Sequence, residues 1–70
     1  MTALELKGIA SSGGSLVVNA NGFTVLELKG IASAGKAGNA HLFIKDANKL
    51  NALECKGIAS SHPGYVTFDF

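Results

Sequence analysis

The sequence predicts an all-β fold: six strands as three repeated β-hairpins with pseudo-threefold symmetry, closed into a small barrel or a β-prism-like ring. Three observations predict it. The block LELKGIAS at residues 4–11 returns unchanged at 26–33, and again at 53–60 as LECKGIAS. Each copy is followed by a loop rich in Gly, Ser and Ala: SGGS (12–15), AGKAGNAH (34–41) and SHPGY (61–65). After each loop comes an apolar run that alternates with period two, the pattern of a half-buried strand.

The repeat starts lie 22 and then 27 residues apart. Self-similarity at such a period marks one supersecondary unit used several times. A chain of 70 residues makes a single domain, 1–70, with repeats 1–22, 23–49 and 50–70. The octet opens each repeat and reads as its long strand. A helix is the rival, because LELK is a good helix former. The glycine at 8, 30 and 57 weakens a helix, and eight residues are few for one that must stand alone. The runs LVVNANG (16–22), LFIKDAN (42–48) and VTFDF (66–70) read as the returning strands, rich in valine, isoleucine and phenylalanine. Asn21-Gly22 suits the tight turn between the first two units.

Within the octet the alternation breaks. Leu4 and Leu6 share one face, Glu5 and Lys7 the other, and Ile9 falls on the charged side. A β-bulge at Gly8 restores Ile9 to the leucine face, and the same device at Gly30 and Gly57 restores Ile31 and Ile58. The expected core is then threefold. It comprises Leu4, Leu6, Ile9, Leu16 and Val18; Leu26, Leu28, Ile31, Leu42 and Ile44; and Leu53, Cys55, Ile58, Val66 and Phe68. The hairpin repetition resembles β-trefoil and β-prism proteins in outline only. The repeat is shorter than theirs, and no sugar-binding motif of theirs is present.

Composition narrows the function. The chain is 47% hydrophobic, 16% charged and formally +1, with no arginine and six dispersed lysines. Nucleic-acid binders carry a clustered basic surface, so no nucleic acid is expected as a partner. No apolar run approaches the roughly 20 residues of a membrane helix, and no basic-then-apolar leader opens the chain. The expectation is a cytoplasmic protein, or part of an assembled particle, with no membrane partner.

No cofactor and no metal are expected, since Cys55, His41 and His62 show no ligand spacing. Cys55 stands where the other octets have leucine and reads as a small buried hydrophobe rather than a nucleophile. The chain is therefore not expected to be an enzyme. Lys36, Asn39, His41 and His62 are the candidate ligand-binding residues, because they lie in the hairpin loops, where binding residues concentrate. His41 and His62 are each expected to be solvated. Val17, Phe23, Val25 and Phe43 fall on the outward strand faces and form the candidate interface. The reading is a non-enzymatic, self-associating protein with a structural or protein-binding role: a coat, decoration or inhibitor-type subunit. A homo-oligomer is expected, or a complex with another protein. The alternative is a module that binds a ligand or carbohydrate with its Gly/Ser/Asn-rich loops.

Overall fold

The octet is helical, and the chain is a mixed α/β protein rather than an all-β one. The structure, a computed structural model, describes residues 1–70. Helices α1 (Ala3–Ser11), α2 (Val25–Gly35) and α3 (Ala52–Ser60) alternate with strands β1 (Leu16–Asn19), β2 (Leu42–Lys45) and β3 (Val66–Phe68).

The residues just ahead of each octet decide its conformation. Thr2 Oγ1 accepts the Glu5 N–H at 3.2 Å, and Glu5 Oε1 accepts the Thr2 N–H at 2.9 Å. Thr24 and Glu27 repeat this at 3.1 and 2.8 Å, and Asn51 and Glu54 at 2.8 and 3.0 Å. Each is a capping box, which satisfies two otherwise orphaned donors at a helix start. The same boxes place a carboxylate in every first turn, where the helix dipole favours negative charge. The mid-octet glycine lowers helix propensity by about 1 kcal/mol relative to alanine. Caps and the packing of one face outweigh it, as is usual for short helices in folded domains.

The second runs are strands, as their alternation indicates, but they are parallel. The sheet order is β1-β2-β3, with Leu16, Leu42 and Val66 in register. A hairpin requires its two strands to follow each other directly. Here a helix separates each strand from the next, so each connection is a crossover and the strands run the same way. Helix α1 packs on α2 and α2 on α3, on one face of the sheet. The result is two layers, with extents of 29 × 24 × 17 Å. The expected six-stranded barrel, its hairpins and its threefold closure are thereby overturned.

The core lies between the layers. Leu6, Leu28, Ile31 and Ile58 from the helices meet Val18, Leu42 and Ile44 from the sheet, with Ala20, Ala32, Ala47 and Leu50 filling between. Gly8, Gly30 and Gly57 are helical residues, not bulges. A 3.6-residue period brings Ile31 and Ile58 inward without any phase shift. It also turns Leu4, Leu26 and Leu53 outward, and each is 78% exposed rather than core.

Glycine is required elsewhere. A Cβ on Gly38 would collide with the Gly13 backbone nitrogen and lie 2.9 Å from the Ala10 carbonyl oxygen. That close approach seats the turn Lys36–Gly38 on the end of α1. Gly13 itself has φ +100°, a conformation that glycine adopts freely.

Three outcomes check this fold in urea titrations. Thr24→Ala should lower stability by about 1 kcal/mol through loss of its cap. Gly8→Ala should raise it by about 0.5–1 kcal/mol, since a Cβ at Gly8 meets nothing within 4 Å. Gly38→Ala should lower it by about 1–3 kcal/mol as an overpacked site.

The Glu5 carboxyl is held below its ordinary value of 4.5, first by the Thr2 backbone N–H and then by the Thr2 hydroxyl. Its folded value is depressed, so its contribution is present above the ordinary value. That contribution is lost as pH falls through the lower folded value. Glu5→Gln should flatten the acid limb of stability against pH, measured by thermal melts below about pH 5.

Candidate functional site

Of the loop residues singled out from the sequence, His41 and His62 both lie against Tyr65, with ring centroids 6.2 and 4.4 Å from its ring. Lys36 is exposed at the start of the turn Lys36–Gly38, and Asn39 follows it in the left-handed conformation at φ 54°. His41 is exposed, with Nε2 2.7 Å from Thr67 Oγ1. His62 is not a solvated loop residue: it is 4% exposed. Its Nε2–H donates to the Ala40 carbonyl at 3.0 Å. Its ring stacks on Tyr65, with centroids 4.4 Å apart and planes 4° from parallel. The imidazole therefore pins the loop 61–65 to the loop before β2.

The candidate interface residues divide. Val17 and Phe43 are register partners on neighbouring strands. They share the sheet face opposite the helices, because Val18, Leu42 and Ile44 point into the core. Thr67 continues their row on β3, and His41 reaches it. Parallel sheets are usually covered on both faces; this one carries helices on one. Phe23 and Val25 lie in no strand, contrary to expectation. Phe23 ends the turn before α2 and Val25 begins that helix, and both pack against the core.

Cys55 lies on α3, half-buried against the core. Burial pushes its thiol up, and the neighbouring Glu54 charge pushes it further. Both act against thiolate formation, the opposite of what an activated nucleophile needs. No three His, Cys, Asp or Glu side chains gather in the manner of a metal site.

The feature that sequence reasoning missed is the seam between helices. Lys7 of α1 lies over Gly30 of α2: its Cε and Nζ are 2.7 and 2.9 Å from where a Cβ on Gly30 would stand. Lys29 of α2 lies over Gly57 of α3 in the same way, at 2.8 and 3.1 Å. Each lysine side chain thus lies across the glycine and is half-buried.

Burial follows this seam around each helix. Ala3, Leu6, Lys7 and Ala10 sit at i, i+3, i+4 and i+7, on the flank facing the next repeat. Their equivalents in α3 (Ala52, Cys55, Lys56 and Ala59) are each more open than in α1. Glu5, Gly8, Ile9 and Ser12 have the same spacing and face the previous repeat. They are more open in the first repeat than Glu27, Gly30, Ile31 and Ala34 or Glu54, Gly57, Ile58 and Ser61 are in theirs. Every octet therefore carries both halves of one contact. The sequence signal was the 3.6-residue spacing of these two sets, which a two-residue period conceals by placing Glu5 and Lys7 together.

His62→Ala should lower stability by about 2–3 kcal/mol in urea titrations, since it opens a void and leaves the Ala40 carbonyl unpartnered. His41→Ala, at an exposed position, should stay within about 0.5 kcal/mol of the parent chain. Equal losses at the two histidines would remove the distinction drawn between them.

Comparison with known protein families, curated proteins and solved structures finds no match to this chain, so its function is argued from geometry alone.

Proposed function

We propose that the protein is a non-enzymatic, self-associating module with a structural or protein-binding role. One observation supports this reading: within residues 1–70, apolar surface of the first and third repeats is only half-covered. The central strand is closed, with Leu42 3% and Ile44 0% exposed. On the edge strands, Leu16, Val66 and Phe68 are half-buried. Phe70, stacked near Phe68, is 71% exposed. Both edges of the parallel sheet also leave backbone groups free to pair, which natural sheets rarely leave uncovered. A lone half-buried cysteine suits a reducing, cytoplasmic setting. No helix is long and apolar enough to cross a membrane.

A second reading rests on a different surface. The Val17–Phe43 pair, with His41 and Thr67 beside it, gives the uncovered sheet face an apolar centre and a polar margin. That is the composition of many protein-binding surfaces.

Sedimentation velocity over a concentration series tests the first reading. The expected result is a sedimentation coefficient that rises with concentration; a constant monomer at millimolar concentration would overturn it. Phe43→Ser separates the two surfaces. If association runs through the half-covered surface of the first and third repeats, this change leaves the concentration dependence as it was. If it abolishes association, the sheet face is the contact.

A further inference from the structure

The outer side of the helix layer carries one large apolar residue per helix that nothing in the fold covers. Leu4, Leu26 and Leu53 are each 78% exposed. Leu26 belongs to α2, which packs against a helix on either side, so its exposure is a property of the outer face. In each helix the leucine shares a ridge with the residues four and seven further on. Gly30 and Ser33 follow Leu26, and Gly57 and Ser60 follow Leu53. The lysine of the neighbouring helix completes the pattern. Lys7 lies across Gly30 and Lys29 across Gly57, with Nζ 2.9 and 3.1 Å from where a Cβ would stand. Each ammonium group therefore sits about one helical turn along from an exposed leucine. Side by side, the helices give this face three parallel bands: leucine, lysine and serine.

The glutamates of the octets are directed elsewhere. Those of Glu5, Glu27 and Glu54 accept the cap N–H groups of Thr2, Thr24 and Asn51 at 2.9, 2.8 and 3.0 Å. They stand at the helix starts, where the positive end of the dipole offsets part of their charge. The two remaining acidic residues, Asp46 and Asp69, follow β2 and β3 and belong to the sheet layer. The lysine band is therefore the charge that meets whatever approaches the helices.

Composition decides between occupants of this face. Protein contacts are enriched in aromatic residues and arginine and depleted in lysine. The three bands hold lysine and no aromatic residue, and the chain has no arginine. Leucine beside lysine is instead how helices meet the surface of a bilayer. Apolar side chains enter the boundary between headgroups and acyl chains, lysine stems reach back toward the headgroups, and anionic lipids attract each lysine near the surface. That no helix is long and apolar enough to cross a membrane bears on spanning a bilayer, not on lying against one.

We infer that the helix layer docks on an anionic lipid surface, with Leu4, Leu26 and Leu53 entering the headgroup boundary and Lys7, Lys29 and Lys56 meeting the lipid phosphates. This goes beyond self-association and does not depend on it. The sheet face bearing Val17 and Phe43 then points away from the bilayer.

Flotation with phospholipid vesicles tests the inference. The full chain should float with vesicles of phosphatidylcholine and phosphatidylserine, and less with phosphatidylcholine alone. Added salt should weaken binding, because it screens the attraction between lysine and headgroup. Leu26→Ser should weaken binding about tenfold, through the lost burial of one leucine. Lys29→Gln should weaken it about fivefold, the share of one lysine at an anionic surface. Lys45→Gln makes the same charge change in the sheet layer and should leave binding as it was.

A parent chain that ignores anionic vesicles overturns the lipid assignment. A loss of self-association in Leu26→Ser, read by sedimentation, would then make the leucine row a contact between copies. Equal binding to both kinds of vesicle overturns the role of the lysines. If Lys45→Gln weakens binding as much as Lys29→Gln does, net charge and not this face drives it, and the proposal fails. If Leu26→Ser floats like the parent chain, the leucines do not enter the lipid, and the proposal fails. Each variant is checked by far-ultraviolet circular dichroism. Should Lys29→Gln lose its native spectrum, Lys56→Gln, at an exposed position, takes its place, and Leu53→Ser stands in for Leu26→Ser on the same terms.

Discussion

The fold depends on one spacing problem. Neighbouring strands in a sheet lie about 4.8 Å apart, while packed helices lie about 8–10 Å apart. A repeat that contributes one strand and one helix must reconcile the two distances at every step. The glycine of each octet addresses it from one side and the alanine from the other. With no side chain on Gly30, α2 can be approached by the slender stem of Lys7 instead of being held off by a branched residue. Ala10 and Ala32 keep the opposing flank thin while remaining 2% and 1% exposed.

The same constraint explains why the octet is repeated so faithfully. A helix between two repeats, as α2 is, touches its neighbours with two different flanks. In LELKGIAS the forward flank is the second leucine, the lysine and the alanine; the backward flank is the glutamate, the glycine and the isoleucine. A change on one flank must be matched on the facing flank of the adjoining repeat. Cys55 is the one departure from the octet; it is half-buried on α3, whereas its equivalents Leu6 and Leu28 are buried in their seams.

Part of this was legible in the sequence. The alternation of Leu16-Val17-Val18, Leu42-Phe43-Ile44 and Val66-Thr67-Phe68 identified three strands and placed Val17 and Phe43 on the face away from the core. Strand direction was not legible from alternation, because parallel and antiparallel strands alternate alike. It depended on whether the octet was strand or helix. That choice was written two residues ahead of the octet, in Thr2, Thr24 and Asn51, each three residues ahead of a glutamate. Weighing the central glycine as a helix breaker hid this, although propensity is routinely overridden by caps and packing. The burial of His62 had no local sign at all. It arises from stacking on Tyr65 and from a carbonyl 22 residues away in the chain, contacts that only the assembled loops create.

The exposed leucines supply an internal control on the seam. Leu4, Leu26 and Leu53 have the same 78% exposure in all three repeats, although α1, α2 and α3 differ in how many neighbours they have. A position that a neighbouring repeat covers must change exposure between the centre and the ends; one that no repeat covers must not. The lysines, alanines and glycines of the octet change in the sense expected of opposite flanks, and the first leucine does not change. It therefore belongs to neither flank, and repeat-to-repeat packing cannot account for it. Three leucines in a row along the outer helical layer are a regular apolar feature that packing between repeats leaves uncovered.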